Sequence, residues 1–518
     1  MSTSSAGLED QVDTSIGPFQ SIPALASRYR YELLCLPLLA LLAWHVATRT
    51  WGSDFWGHVA VIRELAAHPL HPRHPQLPDD LPHAFYSPYA VVLGLASRIT
   101  GLDPASILPI GGLLNLLLFL SAFRPFVALV SPAGSMPFYS LLFVLFLWGP
   151  SPWNWSGFFN FRSFGDVLPF PSTFAMALAL LAVVGSDRFL ERRRVGNLLL
   201  LPVLFSVVFL THAITSLFML VGLAGVAVSR YRPNLQRPYA LLLGALLLGL
   251  LVASVWPYYS FPDLLLSASP HYDDDQQEMY SQVPERIFPA LIGLPFLVGR
   301  LKSSRRDLPG LIFITASLLY AYGWISGSLR YGRVISYAVL GLQLAAAAGI
   351  IRMKLRPPTT RIRRLGQRLT YAAVSACLIL SIADSAAFLV RNHEGSAGWA
   401  DGFQFLRSYT GQYDLILSDL DTSNVVPAFG GKVVAASRFL AFVPSDYEHR
   451  KRDVEGFFRS ETTLPQREEV LRKYGVDWLL VDREAITGTG ASMGSLRRLG
   501  RVVYEDRARG LVLIKVEV

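Results

Sequence analysis

Two cysteines in 518 residues are too few for a disulfide framework or a thiolate metal site. Cys35 and Cys377 each sit in an apolar run, far apart in the chain. Charge is equally scarce. Only 16% of residues are Asp, Glu, Lys or Arg, against about 25% in soluble domains. With 52% hydrophobic residues and a mean hydropathy of +0.37, the chain falls in the integral-membrane class. No P-loop, nucleophile elbow, His-Glu-x-x-His pair or dinucleotide fingerprint occurs, which argues against a nucleotide-dependent cytoplasmic active site. No small-residue cleavage site follows the first apolar run, so an uncleaved first helix is expected. Acids and histidines are nearly missing from the middles of the apolar runs, where a proton-coupled transporter would place them.

What is present is a series of apolar runs punctuated by short Arg-rich loops. The net charge of +9 resides there and reflects the positive-inside bias, so no nucleic-acid partner is expected. The basic loops are Arg188–Arg194, Arg230–Arg237, Arg300–Arg306 and Arg352–Arg368. Between the first two, Asn197–Ser229 is too long for one span and predicts a hairpin turning near His212. Further spans are expected at Tyr239–Pro257, Ile287–Val298, Leu308–Ser326, Val334–Ile351 and Thr370–Val390. Between Trp51 and Ser151, both expected outside, the chain must cross an even number of times. Three apolar candidates lie there: Phe85–Ile99, Ala105–Val130 and Met136–Trp148. Either one is re-entrant, or Ala105–Val130 breaks near Arg124-Pro125. The fold class expected is a polytopic α-helical membrane protein of roughly 11 to 13 spans with a C-terminal soluble α/β domain.

In domain terms, residues 1–30 read as a disordered cytoplasmic tail, 31–390 as the membrane module and 391–518 as an extracytoplasmic α/β domain. Within that last domain, Asp414–Ser418, Lys432–Ala435, Trp478–Asp482, Val502–Glu505 and Leu511–Val516 read as strands. Ser445–Arg459 and Leu464–Tyr474 read as helices. The preference for Arg over Lys hints at a GC-rich bacterial source and hence at a bacterial plasma (inner) membrane.

The remaining polar residues gather in the external loops. In the first, 51–84, Asp54 precedes His58 by one helical turn. Phe55, Val59, Ile62 and Ala66 form an apolar stripe on another face. This describes an amphipathic helix lying at the membrane surface with a carboxylate and an imidazole beside it. The two readings are acid–base chemistry and simple capping of the helix by Asp54. His68, His71, His74 and His83 alternate with prolines, which breaks the helical spacing a metal pair needs and favours an extended segment.

Other external groups carry similar pairs of readings. Arg330 and Arg333 suit a phosphate or snorkelling at the interface. Arg162 and Asp166 sit in an aromatic segment with Trp153, Trp155, Phe158, Phe159, Phe161 and Phe164, suited to an interfacial belt or to stacking on sugar rings. His271, Asp273, Asp274, Asp275 and Glu278 form a loop able to hold a divalent cation (Mg or Mn) or simply to be solvated. His212 reads as a satisfied polar group at its turn or as a substrate contact.

Four stretches together resemble the C-type (GT-C) glycosyltransferases: SDFWGH just beyond the first span, the aromatic-proline element FYSPY, LRYGRVISYAVLGLQLAAAAGI with its paired arginines, and the C-terminal LRKYGVDWLLVDRE. The resemblance covers most of the chain. Asp54 has no adjacent acid, unlike the Asp-Glu pair of protein mannosyltransferases. The resemblance implies transfer of a hexosyl or pentosyl unit from a polyprenyl-phosphate carrier to a glycan, lipid or protein acceptor hydroxyl, with inversion. Asp54 would be the general base, assisted by His58. Arg330, Arg333 and Arg162 would bind the donor phosphate. Asp166, His212, His271, Asp273, Asp274 and Glu278 are further candidates for substrate or metal contact. No cofactor is required by this reading, although a divalent cation fits it. The competing classes are a lipid-linked glycan flippase, a polymerase or ligase, and a non-catalytic membrane scaffold.

Overall fold

The computed structural model describes residues 29–266 except 231, 233 and 235, and residues 276–355, 359–391, 399–437, 442–487 and 490–517. Most of the tail expected over residues 1–30 lies outside them, as do His271, Asp273, Asp274 and Asp275.

Seven helices are long and apolar enough to cross a bilayer. They are α1 (Arg30–Thr48), α4 (Pro104–Ala128), α7 (Pro171–Arg192), α10 (Gln236–Ser254), α12 (Leu308–Ser326), α13 (Ile335–Leu355) and α14 (Arg361–Arg391). Shorter apolar helices are α5 (Met136–Phe146), α8 (Val195–Thr211) and α9 (Ala213–Ser229). Between them stand α2 (Ser53–Ala67), α3 (Pro88–Thr100), α6 (Phe161–Val167) and α11 (Leu294–Ser303), the last preceded by the 3-10 turn Phe288–Gly293. Helix α13 has nearly every residue buried from Ile335 to Ile351 and forms the centre of the bundle, whereas α14 buries only Val374, Ser385 and Leu389 and lies at its edge.

Polar contacts at the helix ends sort them onto two sides. On the basic side, Arg230 pairs with Asp187 and Glu191, so the chain leaves α9 where it left α7. The stretch α8–α9 is therefore a hairpin turning at His212, as its length predicted. Also on that side, Arg300 reaches the Val130 carbonyl (3.2 Å) and Asp307. On the opposite side, Asp103 pairs with Arg407 of the C-terminal region, and Gly149 N–H donates to the Arg286 carbonyl (2.8 Å).

These anchors resolve the crossing problem. The helix α4 runs unbroken through Pro125 from the Asp103 side to the Val130 side. Helix α5 returns. Helix α3 does not cross: Arg98 near its end donates to the carbonyls of Ala66 and Ala67 on α2, and Asp103 just beyond it pairs with Arg407. It lies against α2 so closely that a Cβ on Gly94 would come 2.5 Å from Leu65 Cβ. Among the described residues, seven long helices thus stand with three shorter apolar ones and the mixed segment Phe288–Ser303.

Beyond the bundle a five-stranded sheet forms from β1 (Leu415–Leu417), β2 (Lys432–Val433), β3 (Trp478–Asp482), β4 (Gly500–Asp506) and β5 (Leu511–Val516). Its order is β2-β1-β3-β5-β4, with β2, β1 and β3 parallel and β5 antiparallel to both β3 and β4. Every residue of β3 is buried, as a central strand covered on both faces requires. The helix at Leu464–Tyr474 starts with a Thr463/Gln466 capping box and stops at Gly475 in the left-handed region, φ +66°. All five expected strands and both expected helices are present, with ends shifted by up to two residues.

Candidate active site

Helix α2 begins two residues earlier than capping by Asp54 would require. Gly52 occupies the cap position and makes no side-chain cap bond. Asp54 is instead the second helical residue, exposed, where the positive end of the helix dipole favours a carboxylate. One turn on, His58 is buried between two aromatic rings, stacked on Phe85 at 4.6 Å and tilted against Phe170 at 5.2 Å. Trp51 stacks on Phe55 at 4.6 Å and holds the first turn from the outside.

Three other elements close on this helix. His212 caps α9, and its Nδ1 lies 2.9 Å from Thr215 Oγ1 and 3.3 Å from the Thr215 N–H it accepts. That bond leaves the ring proton on Nε2. Burial, with the nearby charges of Arg333 and His58, pushes the His212 pKa down to about 3, so the ring is neutral. The Leu329–Val334 segment is a 3-10 helix, in which residues three apart eclipse. Arg330 and Arg333 therefore share an edge. Arg333 is buried, donates Nε–H to Gln276 Oε1 at 2.6 Å and stacks over Trp155 at 4.7 Å. Tyr337, one turn into α13, donates its hydroxyl to the Ile214 carbonyl at 2.9 Å and ties that helix to the His212 turn. Gly157, at φ +92°, turns the aromatic loop toward the same place, where an added Cβ would lie 3.8 Å from the Tyr337 hydroxyl, in ordinary contact with it.

His212 thus lies within electrostatic reach of both His58 and Arg333, with Asp54 one turn before His58 and Arg330 one 3-10 turn before Arg333. Other sequence candidates are engaged elsewhere. Arg162 is ion-paired with Asp384 on α14 and stacks over Phe388 at 5.3 Å. Asp166 pairs with Arg49, with His45 Nε2 3.9 Å away. Glu278 organises the aromatic loop: its carboxylate accepts from Arg286 (3.0 Å) and Trp155 Nε1 (3.2 Å), and its carbonyl from Trp153 Nε1 (3.1 Å). Among the described residues, no group of three or more His, Cys, Asp or Glu could hold a metal ion.

The sequence did not disclose how the far end of α2 is held. Glu64 and Lys432 form a buried ion pair at 2.9 Å, with side chains 1% and 3% exposed. Lys432 Nζ also donates to the carbonyls of His74 and Pro75 (2.8 and 3.1 Å), and Glu64 accepts from Gln412, Tyr413 and the Arg73 N–H. Burial raises the Glu64 pKa, but the Lys432 ammonium and these donors outweigh it and hold the carboxyl below its ordinary value. Arg63 donates to the Pro427 and Gly430 carbonyls, and Trp56 packs on Phe429 at 4.8 Å. The Val433 N–H pairs with the Gln76 carbonyl (2.8 Å), and Arg450 grips Asp79 through two bonds (2.7 and 3.0 Å). The His-Pro segment runs through this contact without regular secondary structure, as its prolines predicted. His74 and His83 both accept backbone N–H groups at Nδ1, and burial pushes His83 down to about 3. One signal pointed to this contact: Lys432 is a lone charge opening an otherwise apolar strand, KVVAA.

No protein-family model and no curated protein matches the chain by sequence. Solved structures do match it. The crystal structure of ArnT from Cupriavidus metallidurans bound to undecaprenyl phosphate superposes with a TM-score of 0.56 at 13% identity, covering 94% of this chain and 98% of that one. The arabinofuranosyltransferase AftD from Mycobacteria superposes with a TM-score of 0.56 at 14% identity, covering 95% of this chain and 40% of that one. At such identity the likeness is one of fold: the chain shares the fold of ArnT and of the matched part of AftD.

Proposed function

We propose that this protein transfers a sugar from a polyprenyl-phosphate carrier to an acceptor hydroxyl on the side of the membrane that carries the C-terminal sheet. The observation that supports this most is that His58, one turn from the exposed Asp54 on α2, lies within electrostatic reach of the neutral His212, which in turn lies within reach of the buried Arg333. A fold shared with a structure that holds undecaprenyl phosphate supports the carrier class.

In this reading Asp54 takes the proton of the acceptor hydroxyl as its oxygen bonds to the anomeric carbon. The bond from that carbon to the phosphate oxygen breaks in the same displacement, which inverts the anomeric centre. Arg333, with Arg330 on the same edge, neutralises the negative charge left on the departing polyprenyl phosphate. His212, neutral and protonated at Nε2, donates a hydrogen bond to the same phosphate. His58, sandwiched between Phe85 and Phe170, orients the Asp54 turn.

Purified protein supplied with radiolabelled polyprenyl-phosphate sugars tests this. Transfer to an added acceptor is expected, falling ~10²–10⁴-fold in Asp54→Asn, the usual worth of a general base, with unchanged protein abundance. Full transfer by Asp54→Asn would remove Asp54 from the reaction. Transbilayer movement of the lipid without transfer would make the protein a flippase.

A further inference from the structure

The basic side carries a cavity that this chemistry does not use. It measures about 320 Å³ and is lined by Arg188, Arg192, Arg194 and Asn197. It exists because Arg193 takes the left-handed conformation, φ +53°, at the end of α7 and reverses the chain in a single residue. The last turn of α7 and the start of α8 then face one space, and three guanidiniums surround it. The acids closest in sequence, Asp187 and Glu191, are both paired with Arg230. Among the described residues no carboxylate pairs with Arg188, Arg192 or Arg194, so the cavity is strongly cationic. The positive end of the α8 dipole adds to it.

A second observation says what kind of anion fits. Below the cavity, Val195, Leu199 and Val203 repeat every fourth residue along α8 and are 65%, 72% and 56% exposed. They form an apolar stripe running from the cavity down the outer wall of the bundle. A hydrated free anion would have no use for this stripe; a phosphate carried on a hydrocarbon chain would use both features.

We propose that this cavity binds the phosphate headgroup of an anionic membrane lipid, with an acyl chain lying along the Val195–Leu199–Val203 stripe. The guanidiniums supply charge-assisted bonds to the phosphate oxygens, and basic pockets between membrane helices suit this role. The site lies on the side of the bundle opposite Asp54 and is independent of the sugar-transfer reading.

The full chain in neutral detergent, examined by native mass spectrometry with phosphatidylglycerol, phosphatidylcholine or inorganic phosphate, tests the proposal. We expect preferential retention of phosphatidylglycerol, weakened about fivefold per guanidinium and roughly a hundredfold in R188Q/R192Q/R194Q. The matched change R361Q/R363Q/R364Q, in a different basic loop, should leave retention unchanged. Leu199→Ser should weaken retention of phosphatidylglycerol without affecting inorganic phosphate. Equal loss in both triple variants would reduce the effect to diffuse attraction and overturn the site. Equal retention of phosphatidylcholine would do the same, and displacement of the lipid by millimolar inorganic phosphate would make this a free-phosphate site.

Discussion

The two ends of α2 carry acids in opposite circumstances. Asp54 is exposed in the first turn and lies beside aromatic rings. Glu64, three turns on, is buried, ion-paired with Lys432 and hydrogen-bonded by three further donors. A buried ion pair is seldom chosen for net stability, because the desolvation cost of two charges offsets their attraction. What it provides is geometry: Lys432 has one arrangement that satisfies it, and that arrangement fixes α2 against the edge of the sheet. The proposed chemistry at one end of the helix thus relies on a brace at the other, supplied from nearly 370 residues later in the chain.

Breaking the brace should have the largest effect. Glu64→Gln leaves the Lys432 ammonium buried without its partner, and the expected loss is ~3–5 kcal/mol, read as a fall in melting temperature. Asp54→Asn should lower the melting temperature far less, since a first-turn acid contributes only ~0.3–1 kcal/mol through the helix dipole, and a comparable fall in both variants would erase the distinction between the two ends. The double variant Glu64→Gln/Lys432→Met should recover part of the loss, since it removes both charges.

Acid should loosen the same region by a smaller amount. His83 is held neutral by burial, with a folded pKa of about 3 against an ordinary 6.5. The unfolded chain therefore binds a proton the folded chain refuses. Stability is full above pH 6.5 and falls as pH drops toward 3, with a loss of ~2 kcal/mol at pH 5 by linkage. Melting curves at pH 7.5 and pH 5 should show this difference, and His83→Phe should shrink it. An effect of similar size is expected at Gly94, where a valine must push the backbone of α2 away at Leu65. Overpacking costs typically ~1–3 kcal/mol, and here it would displace the last turn of α2, beside Glu64. A transfer rate at a temperature well below melting that falls more than in a variant of equal melting temperature elsewhere in the bundle would sharpen the link between the position of α2 and activity.

Much of this molecule is legible in the residues because its signals are local. Apolar runs, Arg-rich loops and strand alternation located the spans and the sheet, and Leu308–Ser326 and Leu464–Tyr474 fall on the expected residues. Crossing parity was not legible. Phe85–Ile99 is as apolar as a span, and only the bonds from Arg98 to α2 and from Asp103 to Arg407 place both its ends on one side. Site partners were legible only in part. Asp54 and His58 declare themselves by helical spacing, and Arg330 and Arg333 by their basic external motif. Nothing local distinguishes Arg162, held by Asp384, from Arg333, which packs on Trp155 beside His212.

The sequence by itself determined that this is a membrane bundle with a separate α/β unit, because hydrophobic periodicity and charge density are properties of neighbouring residues. Which face α3 keeps to, which arginine meets the His212 turn, and that Lys432 anchors Glu64 were decided only in the tertiary structure. Buried charges choose partners by distance in space, and the chain brings those partners together only once the bundle and the sheet have packed.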